Sequence, residues 1–292
     1  MRKTIKADLV IIDPQNDFMD IKHDGSGWVG ATMPDGTLYR STLPVPGALD
    51  DMRRVASMLK RVGRRLNDIH VTLDSHRVVD VAHPGFWRGQ DGKRPAPFTM
   101  ISNADIKSGM WAPRNESFRQ RMLDYTAALE AAGKFVLMIW PEHCLIGSWG
   151  HNVVDELRVP LADWERENFA TIDFVTKGTN TFTEHYGALM AEVPDPADPS
   201  TQLNGGFLSV LQEADVIGIA GEASSHCVAT TIRQIVDNIG DAHLKKIHIL
   251  TDCMSPVPPT PGSPDFPAIV GQFLKDMEAR GLVLTTADDF LR

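Results

Sequence analysis

Cysteine is scarce in this 292-residue chain: Cys144, Cys227 and Cys253 are the whole set. An odd, sparse set builds no disulfide framework, so the expectation is a reduced, cytoplasmic protein in which a cysteine matters through its chemistry. Basic charge is thin as well. The 29 Lys and Arg against 38 Asp and Glu leave a net charge of −9, with no basic block anywhere. Neither nucleic acid nor an anionic membrane surface is therefore expected as a partner, because both require clustered cations. No apolar run reaches the length of a bilayer span, and the one near the start, ADLVII, stops at Asp13, too short for a signal-peptide core. There is no internal repeat. No G-x-G-x-x-G follows the first apolar run, which argues against a dinucleotide-binding protein.

What is present is an ordinary globular composition, 42% apolar and 23% charged. ADLVII is unbroken and apolar, as a strand buried on both faces should be. Leu49, Met52, Val55, Leu59 and Val62 then mark one helical face closed by Gly63, and IHVTL follows at 69–73. The order recurs: a helical stripe through Phe118, Met122, Tyr125 and Leu129 precedes FVLMIW at 135–140. Helical stretches at 203–213 and 225–239 precede DVIGIAG and KIHILTD, and a last helix near 268–280 leads into LVLTT. Helix-then-apolar-strand alternation predicts an α/β fold, a three-layer α-β-α sandwich around a mostly parallel sheet. One domain over 1–292 is expected, with insertions near 21–46, 88–116 and 255–267, the last carrying six prolines. Loops this long serve as lids, edge coverings or oligomer contacts, so a homo-oligomer is among the options they leave open.

Ligands of open parallel sheets bind beyond the carboxyl ends of the strands. The apolar runs deliver to that rim Asp13, then Asp74 and His76 with His83 shortly after, then Trp140 and His143, then Lys177, then Cys227. Cys227 falls in the first turn of a helix for which Ser224 or Ser225 is a natural N-cap, where the dipole favours a thiolate. The alternative is a small buried hydrophobe at a strand–helix junction. A thiol that cleaves an amide needs a proton shuttle. His226, adjacent on the helix, does not face Cys227; Asp13 is the better base, with Lys177 as its electrostatic partner. Asp74 and His76, two apart on a strand, can reach one ion, with His83 and His143 as further ligands. Mixed N/O ligation suits a divalent metal, zinc first, with iron or manganese as alternatives. His143 and Cys144 adjoin in an extended segment and so point apart, which leaves Cys144 a structural role.

DPQNDF at 13–18, DSH at 74–76, WPEHC at 140–144, KG at 177–178 and GEASSHCV at 221–228 occur in the order seen in nicotinamidases. The chain thus resembles the nicotinamidase-like branch of the isochorismatase-like cysteine hydrolases over its whole α/β skeleton. The resemblance implies a metal-containing cysteine amidohydrolase that converts nicotinamide or a related small carboxamide to the acid and ammonia. Asp13, Lys177 and Cys227 would be the catalytic triad, with a thioester on Cys227. The backbone N–H groups of Cys227 and Ala223 would form the oxyanion hole, after a cis Glu222–Ala223 peptide. Asp74, His76, His83 and His143 would hold the metal, Phe18 and Trp140 would flank the substrate ring, and Glu222 would stand beside the nucleophile, either as a candidate substrate contact or bonded to nearby backbone. The chain departs from the pattern in its length, in Glu222 and in LIGSWGHNVVDEL after WPEHC. Those departures bear on the substrate more than on the reaction, and a different amide or carbamoyl substrate is one alternative; metal-activated water with Cys227 incidental, or a non-catalytic binding relative, are others.

Overall fold

A computed structural model describes residues 5–21, 40–259 and 263–292. In chain order its elements are β1 (Ala7–Ile12), α1 (Ala48–Val62), β2 (Leu66–Asp74), β3 (Trp87–Gly89), β4 (Met100–Ile101), α2 (Asn103–Ser108), β5 (Trp111–Pro113), α3 (Arg119–Ala131) and β6 (Leu137–Met138). There follow α4 (Asp155–Asn168), β7 (Asp173–Lys177), α5 (Gly205–Glu213), β8 (Val216–Gly221), α6 (Ala229–Ile239), β9 (Ile247–Leu250), α7 (Phe266–Ala279) and β10 (Val283–Thr285). Short 3₁₀ turns punctuate them. No helix among the described residues is long and apolar enough to cross a membrane.

Six strands form one sheet in the order β10-β9-β8-β1-β2-β7, every neighbouring pair parallel. All six residues of β1 are buried, as its unbroken apolar run requires of a strand covered on both faces. Two core clusters sit on opposite faces: Leu9 and Ile11 join one with α1, Val10 and Ile12 the other with α5 and α6. The alternation of one strand into two cores follows from the two-residue period of its side chains. Chain order reverses at β1, which has β2 on one side and β8 on the other. This is the switch point where open α/β sheets form a crevice. Gly221 makes the closure tight there: its φ is +127° and a Cβ would stand 2.1 Å from the Ile12 carbonyl oxygen.

Two expectations are corrected. The apolar run 135–140 is not a strand of the main sheet; only β6 is extended, and it pairs antiparallel with β4 in a separate two-stranded ribbon. Apolarity alone cannot tell a strand of the main sheet from a strand that closes a satellite core. Helix α4 was not anticipated, because Pro160 lies inside it and interrupts the pattern. It packs on α1, with the Trp164 indole donating to the Gly63 carbonyl at 2.8 Å.

The insertion near 88–116 supplies β3, β4, α2 and β5. A reciprocal capping box of Ser102 and Asp105 starts α2. Trp87, Ile101 and Ile106 from this stretch bury against Met122, Tyr125 and Leu129 of α3 in a third core. Of the insertions near 21–46 and 255–267, residues 22–39 and 260–262 lie outside the described residues.

Candidate active site

β1, β2, β7 and β8 end side by side, and each leaves one functional group at the same rim. Asp13 follows β1 with a left-handed φ of 46°. Its N–H donates to Thr72 Oγ1 at 3.0 Å, and the Thr72 hydroxyl donates back to Asp13 Oδ1 at 2.6 Å. The other oxygen, Oδ2, lies 2.9 Å from Lys177 Nζ. Lys177, the last residue of β7, is only 2% exposed. Its ammonium also reaches Asp74 Oδ1 at 3.0 Å, the His185 carbonyl at 3.1 Å and Cys227 Sγ at 3.5 Å. Burial alone would lower the Lys177 pKa, but the carboxylates of Asp13 and Asp74 outweigh it and hold it well above its ordinary value. Burial raises Asp13, with Lys177 opposing. The three expected catalytic residues thus meet around one ammonium.

Cys227 lies within a five-residue π-helical turn, Ser224–Val228, that precedes α6. The cap residue is Ala223, with no side-chain capping bond, so the expected Ser224 or Ser225 N-cap is not formed. Ser225 Oγ instead accepts the Val257 N–H at 3.1 Å. The thiol departs from expectation too. Burial raises it well above its ordinary value, and the lowering by Lys177 does not restore it. Desolvation outweighs the neighbouring ammonium, which favours a resting thiol that needs a base. The Glu222–Ala223 peptide is cis.

Asp74 joins this triad to the histidine cluster. While Oδ1 faces Lys177, Oδ2 lies 3.0 Å from His76 Nε2 and 3.4 Å from His143 Nε2. Asp74, His76 and His143 place one ligand atom each within 4.8 Å of one another, all buried. Each imidazole is tied at Nδ1: His76 to Asp80 at 3.1 Å, His143 to the Pro141 carbonyl at 2.8 Å, His83 to the Arg77 carbonyl at 3.1 Å. Those bonds leave Nε2 as the lone-pair atom, the usual outer support of a metal-bound histidine. His83 stands outside the trio, its Nε2 3.4 Å from His143 Nδ1. Burial first, then His143 and His76, press its pKa down to about 2, so it is neutral and able to donate a lone pair. The donor set fits a divalent cation.

Beside Cys227 and the histidines lies a narrow cavity of about 30 Å³. Phe18, Trp140 and Tyr186 wall it, with Ala223 and Cys227 at one end and Asp74, His76 and His143 at another. Phe18 meets His143 edge-on at 5.5 Å between centroids. The Trp140 indole N–H points at Glu184 Oε2 and the Tyr186 hydroxyl, both at 3.1 Å. His226 lines the cavity as well, neutral because burial lowers its pKa to about 4, and stands edge-on to Trp140.

Of the two expectations for Glu222, the structure shows the bond to nearby backbone and not the substrate contact. It is fully buried, its Oε2 accepts the Ser255 N–H at 3.2 Å, and it is not among the residues lining the cavity. Its neighbours are Ser255 and Asp51, while the adjacent Ala223 lines the cavity. For Cys144 the separation from His143 has a different cause from the one expected. Its φ is +46°, a turn rather than an extended segment, and its N–H is held by Asp17 Oδ2 at 2.7 Å.

Several residues of the site carried no readable role in sequence. Thr72 looks like any strand threonine until β1 and β2 pair. Gln15 brackets Asp74, donating to its carbonyl and accepting its N–H, both at 2.7 Å. Glu184, His185 and Tyr186 lie in an irregular stretch after β7, where no periodicity marks them. Asp80, four residues after His76, was the one with a visible signal, a carboxylate near a candidate ligand.

No family model matches the chain, and no curated protein sequence matches it. Solved structures do. The chain is similar to a nicotinamidase/pyrazinamidase of Acinetobacter baumanii, with a TM-score of 0.60 and 19% identity over 99% of this chain and 100% of that one. It is similar to the yeast nicotinamidase bound to the inhibitor nicotinaldehyde, at 0.60 and 18% over 96% and 99%. A pyrazinamidase of Pyrococcus horikoshii in complex with zinc matches at 0.50 and 16%, over 96% and 99%. The chain therefore has the α/β fold of nicotinamidase structures along essentially its full length.

Proposed function

We propose that this chain is a metal-containing cysteine amidohydrolase, a single hydrolase domain that converts a small planar carboxamide, nicotinamide or a close relative, to its acid and ammonia. The observation that carries this is the position of Lys177 Nζ, 2.9 Å from Asp13 and 3.5 Å from Cys227, the one of the three that lines an aromatic-walled cavity. Asp13 takes the thiol proton while Cys227 Sγ attacks the carboxamide carbon. The N–H groups of Ala223 and Cys227 receive the oxyanion. As the C–N bond breaks, the Asp13 proton goes to the leaving nitrogen, releasing ammonia and a thioester. Water, deprotonated by Asp13, attacks that thioester; the acid leaves and the proton returns to the sulfur. Lys177 keeps Asp13 poised and steadies the transient thiolate by charge. Asp74, His76 and His143, with His83, would hold a divalent metal, zinc first, which when bound supplies a Lewis-acid site for a ring nitrogen of the substrate. Phe18 and Trp140 hold the ring flat, and the narrowness of the cavity favours a planar ligand over a branched one.

A second reading keeps the thiol chemistry but changes the amide. Glu184 and Tyr186 bring polar groups to a wall next to Trp140, which favours a substrate with a further N–H or O–H donor. Ammonia release measured across nicotinamide, pyrazinamide and amino- or hydroxyl-substituted carboxamides separates the two. Cys227→Ala should abolish release from any true substrate with the fold intact, and trapped thioester mass should sit on Cys227. Turnover by that variant, or mass on Cys144, refutes the proposal.

A further inference from the structure

Ser255, in the segment after β9, holds the chain on both sides of Ala223. Its N–H donates to Glu222 Oε2 at 3.2 Å, and its carbonyl accepts the Ser224 N–H at 2.8 Å. Glu222 also donates its own N–H to the Ile12 carbonyl at 2.8 Å, which ties it to the end of β1. Ala223, between the two tied residues, lines the cavity, and its N–H makes no hydrogen bond among the described residues.

Ser255 also brings two buried carboxyl groups together. Glu222 is 0% and Asp51 2% exposed. The Ser255 hydroxyl donates to Asp51 Oδ2 at 2.6 Å, and Asp51 Oδ1 pairs with Arg54. Glu222 has no such cation. Its Oε1 is closed off from water and has no hydrogen-bond donor among the described residues. Two carboxylates in one dry space do not both stay charged, and the one without a cation takes the proton. A protonated Oε1 needs no donor, because it is one itself, and the Asp51 carboxylate lies within its reach. Burial, and then Asp51, accordingly raise the Glu222 carboxyl. The other charged or titratable groups about the pair are Asp20, which holds the Gly47 and Leu49 N–H groups, and Asp252 and Cys253, which act on Arg54.

We propose that Glu222 is a positioning residue: sharing one proton with Asp51, it holds Ser255 so that Ala223 presents a free N–H to the cavity. The role rests on the amidohydrolase reading above, in which that N–H receives the oxyanion. Glu222 does not line the cavity and acts only through Ser255. A carboxyl with a raised pKa is neutral below that value, so the clamp is closed at low pH. As pH climbs through it, two buried carboxylates come to face each other and the clamp opens to admit water.

The test is amide hydrogen exchange of the full chain read by mass spectrometry from about pH 5 to about pH 9, corrected for the intrinsic rate at each pH. In the parent, protection of residues 221–228 and 253–257 should fall at least about tenfold across that range while α3 keeps its own. Glu222→Gln keeps an acceptor for the Ser255 N–H and a donor for Asp51 but cannot ionise, so its protection should stay level. Glu222→Ala breaks the clamp and should show the low protection at every pH. On a carboxamide that the chain hydrolyses, Glu222→Ala should lower kcat at least about tenfold with KM within about twofold, and Glu222→Gln should hold kcat where the parent loses it. Equal pH dependence in the parent and Glu222→Gln, or loss of protection in α3 together with the two segments, overturns the clamp. A raised KM at unchanged kcat overturns the positioning role. If Glu222→Ala fails to fold, the parent and Glu222→Gln decide. Absence of turnover on every carboxamide counts against the amidohydrolase reading alone, because exchange needs no substrate.

Discussion

Thr72→Val tests whether the strand pair β1–β2, rather than Lys177 alone, holds Asp13, the proposed proton shuttle, in place. Valine keeps the β-branched shape that suits a strand and removes only the hydroxyl. Two bonds go with it: the 2.6 Å donation to Asp13 Oδ1 and the 3.0 Å acceptance of the Asp13 N–H. A hydrogen bond to a charged group contributes about 1.5–3 kcal/mol, and a buried N–H left unpaired costs about 1–3 kcal/mol. Thr72 and Asp13 are both fully buried, so water cannot replace either bond. The loss should be about 3 kcal/mol, a large part of the roughly 5–15 kcal/mol that holds a domain folded. Denaturant titration should show a lower midpoint at unchanged slope, and heating a fall in Tm of roughly 6–12 °C. Ammonia release should fall at least tenfold, because Asp13 loses its orientation while Lys177 and Cys227 remain. Thr72→Ser restores the hydroxyl and should recover most of both. If valine proves as stable and active as the parent, or serine as damaging as valine, the hydroxyl is not what holds Asp13.

Three further outcomes follow from the same geometry. His143→Ala should reduce metal content at least about tenfold by elemental analysis while Cys144→Ala should not, since His143 offers Nε2 to Asp74 and Cys144 is held only through its backbone; equal loss from both refutes the ligand assignment. Burial, and then Asp51, raise the Glu222 carboxyl well above its ordinary 4.5, so folding at neutral pH requires it to take up a proton. A raised acid weakens the fold as pH climbs past the unfolded pKa, so Glu222→Gln should gain stability over the parent from pH 5 to pH 7 (about those values); a constant difference across that range contradicts a neutral Glu222. His70, between Asp8, Phe207 and the half-exposed Asp173, has a raised pKa: burial opposes, but the two carboxylates prevail. Its stabilisation is complete below the unfolded value of 6.5 and is lost as pH rises through the folded one. Asp173→Asn should therefore cost about 0.5–1 kcal/mol at low pH, discounted for solvent, and progressively less above pH 6.5; a pH-independent cost shows the pair is not ionic.

Much of the layout was legible because it follows from chemistry that needs no partner. ADLVII could only be a strand buried on both faces, and Leu49 to Val62 could only be one side of a helix. A parallel sheet with that order brings its strand ends to one rim, which is why Asp13, Asp74, Lys177 and Cys227 could be named in advance. What misled was any feature whose meaning depends on a neighbour distant in sequence. FVLMIW is as apolar as a main-sheet strand, yet β6 pairs with β4, because the insertion near 88–116 offered it a separate core. Pro160 hid α4. Glu222 adjoins the nucleophile loop in sequence but faces away from the cavity.

The sequence by itself determined the α/β class, the parallel sheet and the set of candidate residues at its rim, since hydrophobic period and residue type are local properties. Tertiary structure alone decided how those residues act on one another. It set the Lys177 ammonium between two carboxylates and a sulfur, turned Asp74 toward both the lysine and the histidines, and raised the Cys227 thiol by burial. Distance and desolvation govern all of these, and both come into being only when strands far apart in the chain lie side by side.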